Sequence, residues 1–274
     1  MIPATRSAPR RAAAPAGRGR RGASALLLPL SGLALLVVAW ELAIRLSGER
    51  LLPGPAAVAG ALGELAASGL LVRHLVASLF RVTWGYLAAV LLAVPFGLLL
   101  GWRQRGQEAV GPLLEVLRPI SPLAWIPISI LWFGVGDAAA VFIIFLASFL
   151  PLAMASSHAV RNISAVHLQA GRNFRLPPAD LARKVVLPAV LPQLLVALRL
   201  ALGIAWLVVV AAEMIAVNSG LGFLIVDARN AGNRYDLVVA GMVLIGLVGL
   251  ALDAGIRRLE RLPALRWGYA EART

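Results

Sequence analysis

Three ionisable residues stand inside long apolar runs: Glu41, Arg199 and Glu213. A charged group at the centre of a membrane-length segment costs about 2.5 kcal/mol or more to insert, so each needs a partner, water or a permeant ion. Glu41 follows Trp40 in VVAWELAIRL, where a structural contact is the favoured role and a translocation-pathway contact the second. Arg199 lies about two turns into its run. Its guanidinium could line a pathway for an anion; an ion pair or a cap on backbone carbonyls is the alternative. Glu213 is a third pathway candidate and precedes NSGLGFLI, a Gly-rich break suited to a loop or re-entrant turn. Asp227 and Arg229, then Arg234 and Asp236, follow as opposite charges two apart, placed either to meet a partner protein or to pair locally.

Other chemistries find no support. His74, His158 and His167 are far apart with no ligand spacing, so no metal site is expected and each histidine reads as interfacial or superficial. There is no cysteine for disulfides or thiol chemistry. No G-x-x-x-x-G-K-[ST] appears, so no P-loop nucleotide site is expected in this chain, and neither H-E-x-x-H nor G-x-S-x-G is present to suggest an intramembrane enzyme. GVGD at 134–137 is half a nucleotide-binding glycine pattern and reads as a turn.

The elements that must position these residues are membrane helices. Of 274 residues, 60% are hydrophobic and 14% charged, with a mean hydropathy of +0.84; a soluble domain would carry nearly twice that charge. The net charge of +13 lies beside apolar spans, without an aromatic-interleaved basic groove, so it speaks for anionic lipid rather than nucleic acid. Residues 1–23, with six arginines among Ala, Pro and Gly, read as a disordered basic tail. Residues 24–46 are long enough to span a bilayer and end in no small-residue cleavage site, so they read as an uncleaved first span. Five more spans are expected near 82–100, 119–135, 138–155, 191–212 and 238–253. Residues 47–78 read as an interfacial segment of short amphipathic helices, 79–255 as the transmembrane core and 256–274 as a second basic tail. Gly97, Gly101, Gly203, Gly246 and Gly249 are expected to allow close helix packing.

With the N-terminus inside, nineteen Lys and Arg fall on the inner side and six on the outer, Arg45, Arg50, Arg73, Arg81, Arg229 and Arg234. That bias puts both termini in the cytoplasm. It also places 156–190 there, a segment too long to be a structureless loop. Ser164 is a helix N-cap candidate, Phe174-Arg175-Leu176 a break, and Pro177-Pro178 the first turn of a second helix ending near Pro188. The expected product is a helical hairpin over about 162–188. Its apolar residues Val166, Leu168, Ala170, Phe174, Leu181 and Val185 would face a surface, and Arg172, Arg175, Arg183 and Lys184 water or an acidic partner.

This segment resembles the EAA motif of permease subunits in bacterial binding-protein-dependent ABC importers. With the motif's Leu-Pro set on Leu187 and Pro188, Val185 takes its Ile position, Arg175 its turn Gly, and Gln169-Ala170-Gly171 its Glu-Ala-Ala. A non-glycine residue in a left-handed turn costs on the order of 1 kcal/mol, so Arg175 is either tolerated or the turn differs. LLPGPAAV, SPLAWIPISILWFGVGDAAAVFIIFLASFLPL, LRLALGIAWLVVVAAEMIAVNSGLGFLIVDARN and VLIGLVGLALDAGIRRLERLPALRW are similar to the branch that carries nitrate, sulfonates and taurine. The resemblance implies an all-α integral membrane protein, a MetI-like type I importer bundle of six transmembrane helices with a cytoplasmic coupling hairpin. It further implies a homodimer in the inner membrane, two ATPase subunits that bind ATP and Mg, and a periplasmic or lipoprotein substrate-binding protein. The chain itself would bind no cofactor and would not be an enzyme. An aliphatic sulfonate or taurine-like substrate is expected, with nitrate and vitamin or pyrimidine precursors as alternatives. An ion-gradient-driven carrier is the competing function, disfavoured because no internal repeat is visible.

Overall fold

The computed structural model describes residues 21–47, 53–230 and 232–260. The expected tails 1–23 and 256–274 lie mostly outside them. Two compact units are present, Met1–Pro55 and Ala56–Thr274. Among the described residues the first holds one helix, α1 (Arg21–Ser47), 27 residues long, in which Arg45 Nε donates to Glu41 Oε1 at 2.7 Å one turn back. The pair is local, one turn apart on the same helix, and exposed.

All described elements of the second unit are helical or turns: α2 (Pro55–Ala67), α3 (Leu70–Trp102), α4 (Gln104–Leu117), a 3-10 turn (Pro122–Trp125), α5 (Ile126–Phe133), α6 (Asp137–Arg161), α7 (Ala165–Asn173), α8 (Pro178–Leu181), a π turn (Ala182–Val186), α9 (Leu187–Ala216), α10 (Leu221–Asn230) and α11 (Tyr235–Glu260). Among the described residues, four helical stretches are long and apolar enough to cross a membrane: Leu70–Trp102, Asp137–Arg161, Pro178–Ala216 and Tyr235–Arg258. A fifth is possible only as a pair bent by 86°, Gln104–Leu117 with Pro122–Phe133.

Two expectations change here. The run 119–135 is not a straight span. Pro119, Pro122 and Pro127 each lack an N–H, and Ser121 is extended at φ −59° and ψ 129°, so the chain turns and restarts. The helix that carries the run 82–100 also begins earlier than that run. α3 begins at Leu70 after Gly69 (φ 74°), so residues 70–81 are the first three turns of a 33-residue core helix.

α3, α6 and α9 pack together over most of their length. Small residues make this possible: Ala89, Ala93, Ala153 and Ala201 are buried in one layer, with Val82, Ile144, Ala205 and Val209 in the next. At Gly97 a Cβ would overlap the Ala153 carbonyl oxygen, so α3 and α6 touch backbone to backbone. Gly101 and Gly249 are similarly close to Ser157 and Trp206, whereas Gly203 and Gly246 have nothing within 4 Å, against the packing role expected for them. Leucines and aromatic residues on the outer faces, such as Leu91, Leu131 and Leu207, are exposed as lipid-facing side chains should be.

Candidate functional site

Two regions at opposite ends of α6 and α9 carry the polar chemistry. Helix α6 alone, 25 residues at 1.5 Å per residue, separates them by about 37 Å.

At one end is the hairpin. α7 closes in a Schellman arrangement: Leu176 N donates to Gly171 O at 3.2 Å and Arg175 N to Arg172 O at 2.8 Å. Arg175 occupies the left-handed position at φ 51°, where glycine would be strain-free. The expected turn is therefore kept and the arginine tolerated in it. Ser164 sits at the N-cap of α7 but its hydroxyl makes no capping bond. Gly171 allows the two arms to meet, since a Cβ there would overlap the Leu181 side chain and lie 3.3 Å from Val185 Cγ2. The second arm is not a separate helix ending at Pro188. α8 runs through the π turn into α9, giving one 39-residue path from Pro178 to Ala216. Pro188 has no N–H to offer the preceding turn, and the wider turn, with Leu187 N on Ala182 O, accommodates that loss.

The apolar face of the hairpin divides in two. Leu181 is buried and Val185 half-buried, so they hold the arms together. Phe174, 81% exposed, and Val166, 70% exposed, project outward, with Gln169 and Ala170 also exposed and Leu187 at the surface of α9. Arg172, Arg175 and Arg183 are exposed nearby, and Lys184 pairs with Asp180 at 3.0 Å.

At the other end lies a buried polar hub built on α3. His74, Ser78 and Arg81, spaced four and three apart, share one helical face turned toward the start of α10. His74 Nδ1 accepts from Gly220 N at 3.1 Å, Ser78 Oγ from Leu221 N at 2.9 Å, and Glu213 Oε2 from Gly222 N at 3.0 Å. The orphan N–H groups at the start of α10 are thus capped by side chains of α3 and α9 rather than by α10's own N-cap. Arg81, 2% exposed, donates NH1 to Glu213 Oε1 at 2.8 Å and to Ser219 O at 2.7 Å, and Nε to Asp137 Oδ1 at 2.8 Å. Glu213 is fully buried and also accepts from Ser78 Oγ at 2.8 Å. Gly220, at φ 107°, lies so close to the Glu213 carboxylate that a Cβ would overlap it.

Glu213 therefore sits in a satisfied buried network. Arg81, counted from sequence among superficial outer charges, is one of the most buried side chains, and His74 is buried rather than interfacial. Neither His74, Ser78, Arg81 nor Asp137 was singled out as a site residue. The signal available was their common helical face, hidden because Arg81 was counted with the outer positive charges.

Arg199 is ion-paired within the bundle: its Nε donates to Asp253 Oδ1 of α11 at 2.7 Å, and Asp253 also pairs with Arg257. Both partners of the first pair remain about one-third exposed. Arg234 forks onto Glu64 of α2 at 2.7 Å and Asp236 at 2.8 Å. The Arg234 hydrogen bond holds the Glu64 carboxyl below its ordinary range, and the two carboxylates push the Arg234 guanidinium up. Asp227 and Arg229 are exposed on α10. No group of three or more potential metal ligands occurs among the described residues.

Residues 93–263 match the family model described as the binding-protein-dependent transport system inner membrane component. A putative ABC transporter permease protein of Methanocaldococcus jannaschii is 40% identical over 241 residues, covering 86% of this chain and 90% of that protein. The taurine transport system permease protein TauC of Escherichia coli is 35% identical over 237 residues, covering 83% and 84%. In fold, the chain is similar to a subunit of the MetNI methionine ABC transporter in an inward-facing conformation, with a TM-score of 0.63 and 20% identity, over 70% of this chain and 95% of that one.

Proposed function

The chain belongs to the binding-protein-dependent transport system inner membrane component family, and on that premise we propose how it works as the permease of an ATP-driven importer. It is the membrane subunit and not the enzyme: ATP is hydrolysed by a separate subunit. In this reading two copies pair, both termini face the cytoplasm, and a substrate-binding protein delivers its ligand at the hub end. The cargo is a small anion of the sulfonate or taurine type, a choice supported by the similarity to TauC.

The observation that carries the coupling role is the exposure of Phe174 at the turn of a hairpin whose arms are held together by Leu181 and Val185. An 81% exposed phenylalanine on a rigid turn, ringed by arginines, is suited to an apolar pocket with an acidic rim on the ATPase. Because α8 continues into α9, a displacement of the hairpin is delivered directly to the helix that carries Arg199 and, at its far end, Glu213. The partner holds ATP and Mg; this chain converts their turnover into movement of α9 against α3 and α6. Alternating access then amounts to a bundle with two packings, biased by ATP at one end and by the loaded binding protein at the other.

The test is uptake into proteoliposomes containing the permease with its cognate ATPase and binding protein. Taurine accumulation should require ATP hydrolysis and survive an ionophore. Uptake that persists without the ATPase and collapses with the ion gradient would overturn the assignment in favour of a gradient-driven carrier.

A further inference from the structure

A cavity of about 450 Å³ lies between α2, α3, α10 and α11 at the hub end, apart from the hairpin and from Arg199. His74 lines it and is 7% exposed. Its Nδ1 is already an acceptor for Gly220 N–H. A neutral imidazole has one acceptor and one donor nitrogen, so the proton is on Nε2. Among the described residues no protein group accepts that proton. Arg73, the preceding residue, stands at the same cavity and forms no ion pair among the described residues; Asp227 of α10, also at the cavity, forms none either. Phe223, its ring 6.2 Å from that of His74 and stacked at 25°, gives the cavity an aromatic wall. Arg234, by contrast, is already taken by Glu64 and Asp236.

We propose that this cavity is a binding site for a small zwitterion, a molecule carrying an anionic sulfonate or carboxylate group and a protonated amine. The anionic group is held by His74 Nε2–H and the Arg73 guanidinium, the amine by the Asp227 carboxylate, and the short chain between them packs on Phe223. A monoanion would leave Asp227 as an unanswered like charge, and a monocation would face Arg73 and the His74 donor, so the site selects for both charges together. It goes beyond the transport reading, because the cavity is built within one protomer and needs neither the ATPase nor the binding protein.

The experiment is isothermal titration of the purified permease–ATPase complex, without binding protein, using taurine, glycine, ethanesulfonate and ethylammonium. Taurine or glycine should bind saturably and about tenfold or more tighter than either singly charged probe, and Arg73→Gln and Asp227→Asn should each weaken that binding about tenfold. Both substitutions are at the cavity mouth, and an unchanged thermal midpoint verifies that they fold. His74 is left intact because it also caps α10. Equal binding of all four probes, no saturable binding, or binding indifferent to both substitutions would overturn the proposal. Binding of glycine without taurine would support the site and leave the cargo to the uptake assay, so the two assignments fail separately.

Discussion

Arg81 of α3 and Glu213 of α9 meet at 2.8 Å with the arginine 2% exposed and the glutamate fully buried. Their 132-residue separation makes this contact a tie between two core helices, and the same carboxylate receives Gly222 N–H from α10. Removing one member of a buried pair leaves the other as a buried charge without its counter-ion, at a cost of roughly 3–5 kcal/mol. Arg81→Met should therefore lower unfolding stability in detergent by about 3 kcal/mol or more. Arg81→Met with Glu213→Gln should recover at least part of the loss. A double variant no more stable than Arg81→Met would show that the pair is not what holds this end together.

At the hairpin, Phe174→Asp should leave the thermal midpoint unchanged, because the ring is exposed, and abolish stimulation of ATP hydrolysis by the loaded binding protein. Arg175→Gly should preserve coupling. It should also add up to about 1 kcal/mol to local stability, since glycine relieves the cost of the left-handed turn. Intact coupling in Phe174→Asp would remove the docking role from this surface.

Two glycines separate close approach from mere composition. Gly97→Val should prevent α3 from seating on α6, read as loss of folded protein in detergent, because the obstacle is the Ala153 backbone and cannot swing away. Gly246→Ala should be neutral or stabilising by about 0.5–1 kcal/mol, as its surroundings are open. A destabilised Gly246→Ala protein would place an unseen neighbour at that face.

The Glu64 and Arg234 pair gives a pH signature outside the membrane-spanning helices. Hydrogen bonding from Arg234 lowers the folded-state pKa of Glu64, so the pair's contribution is complete above the ordinary carboxylate range and is lost as pH falls through the lowered value. The stability difference between the native chain and Glu64→Gln should accordingly be positive at neutral pH and vanish in acid. Thermal unfolding across that range measures it; a difference that grew on acidification would contradict the sign.

Local pattern carried some of these features and not others. Apolar length revealed α3, α6, α9 and α11, because a membrane helix satisfies its own backbone and declares itself by composition. The left-handed turn at Arg175 was implied by the resemblance to the EAA motif, set on Leu187-Pro188, although arginine stands where that motif has glycine. The broken run 119–135 was missed because its apolar content outweighed three prolines that forbid a continuous helix. Arg81 was missed for a different reason: its partners Asp137, Glu213 and Ser219 are 56, 132 and 138 residues away, and no local window contains them. Arg199 was visible as an anomaly, but its Asp253 partner belongs to another helix.

The π turn at Ala182–Val186 has a geometric consequence for the whole chain. Each residue of an α-helix advances the azimuth by about 100°, so a wide turn that takes in one residue too many preserves the compass bearing of what lies before it relative to what lies after. Excising a single residue there would leave composition, charge and hydropathy almost untouched. Because the wide turn absorbs that residue, Phe174 would keep nearly its present bearing on α9, whereas the same excision from the regular helix beyond it would swing Phe174 by more than a quarter-circle.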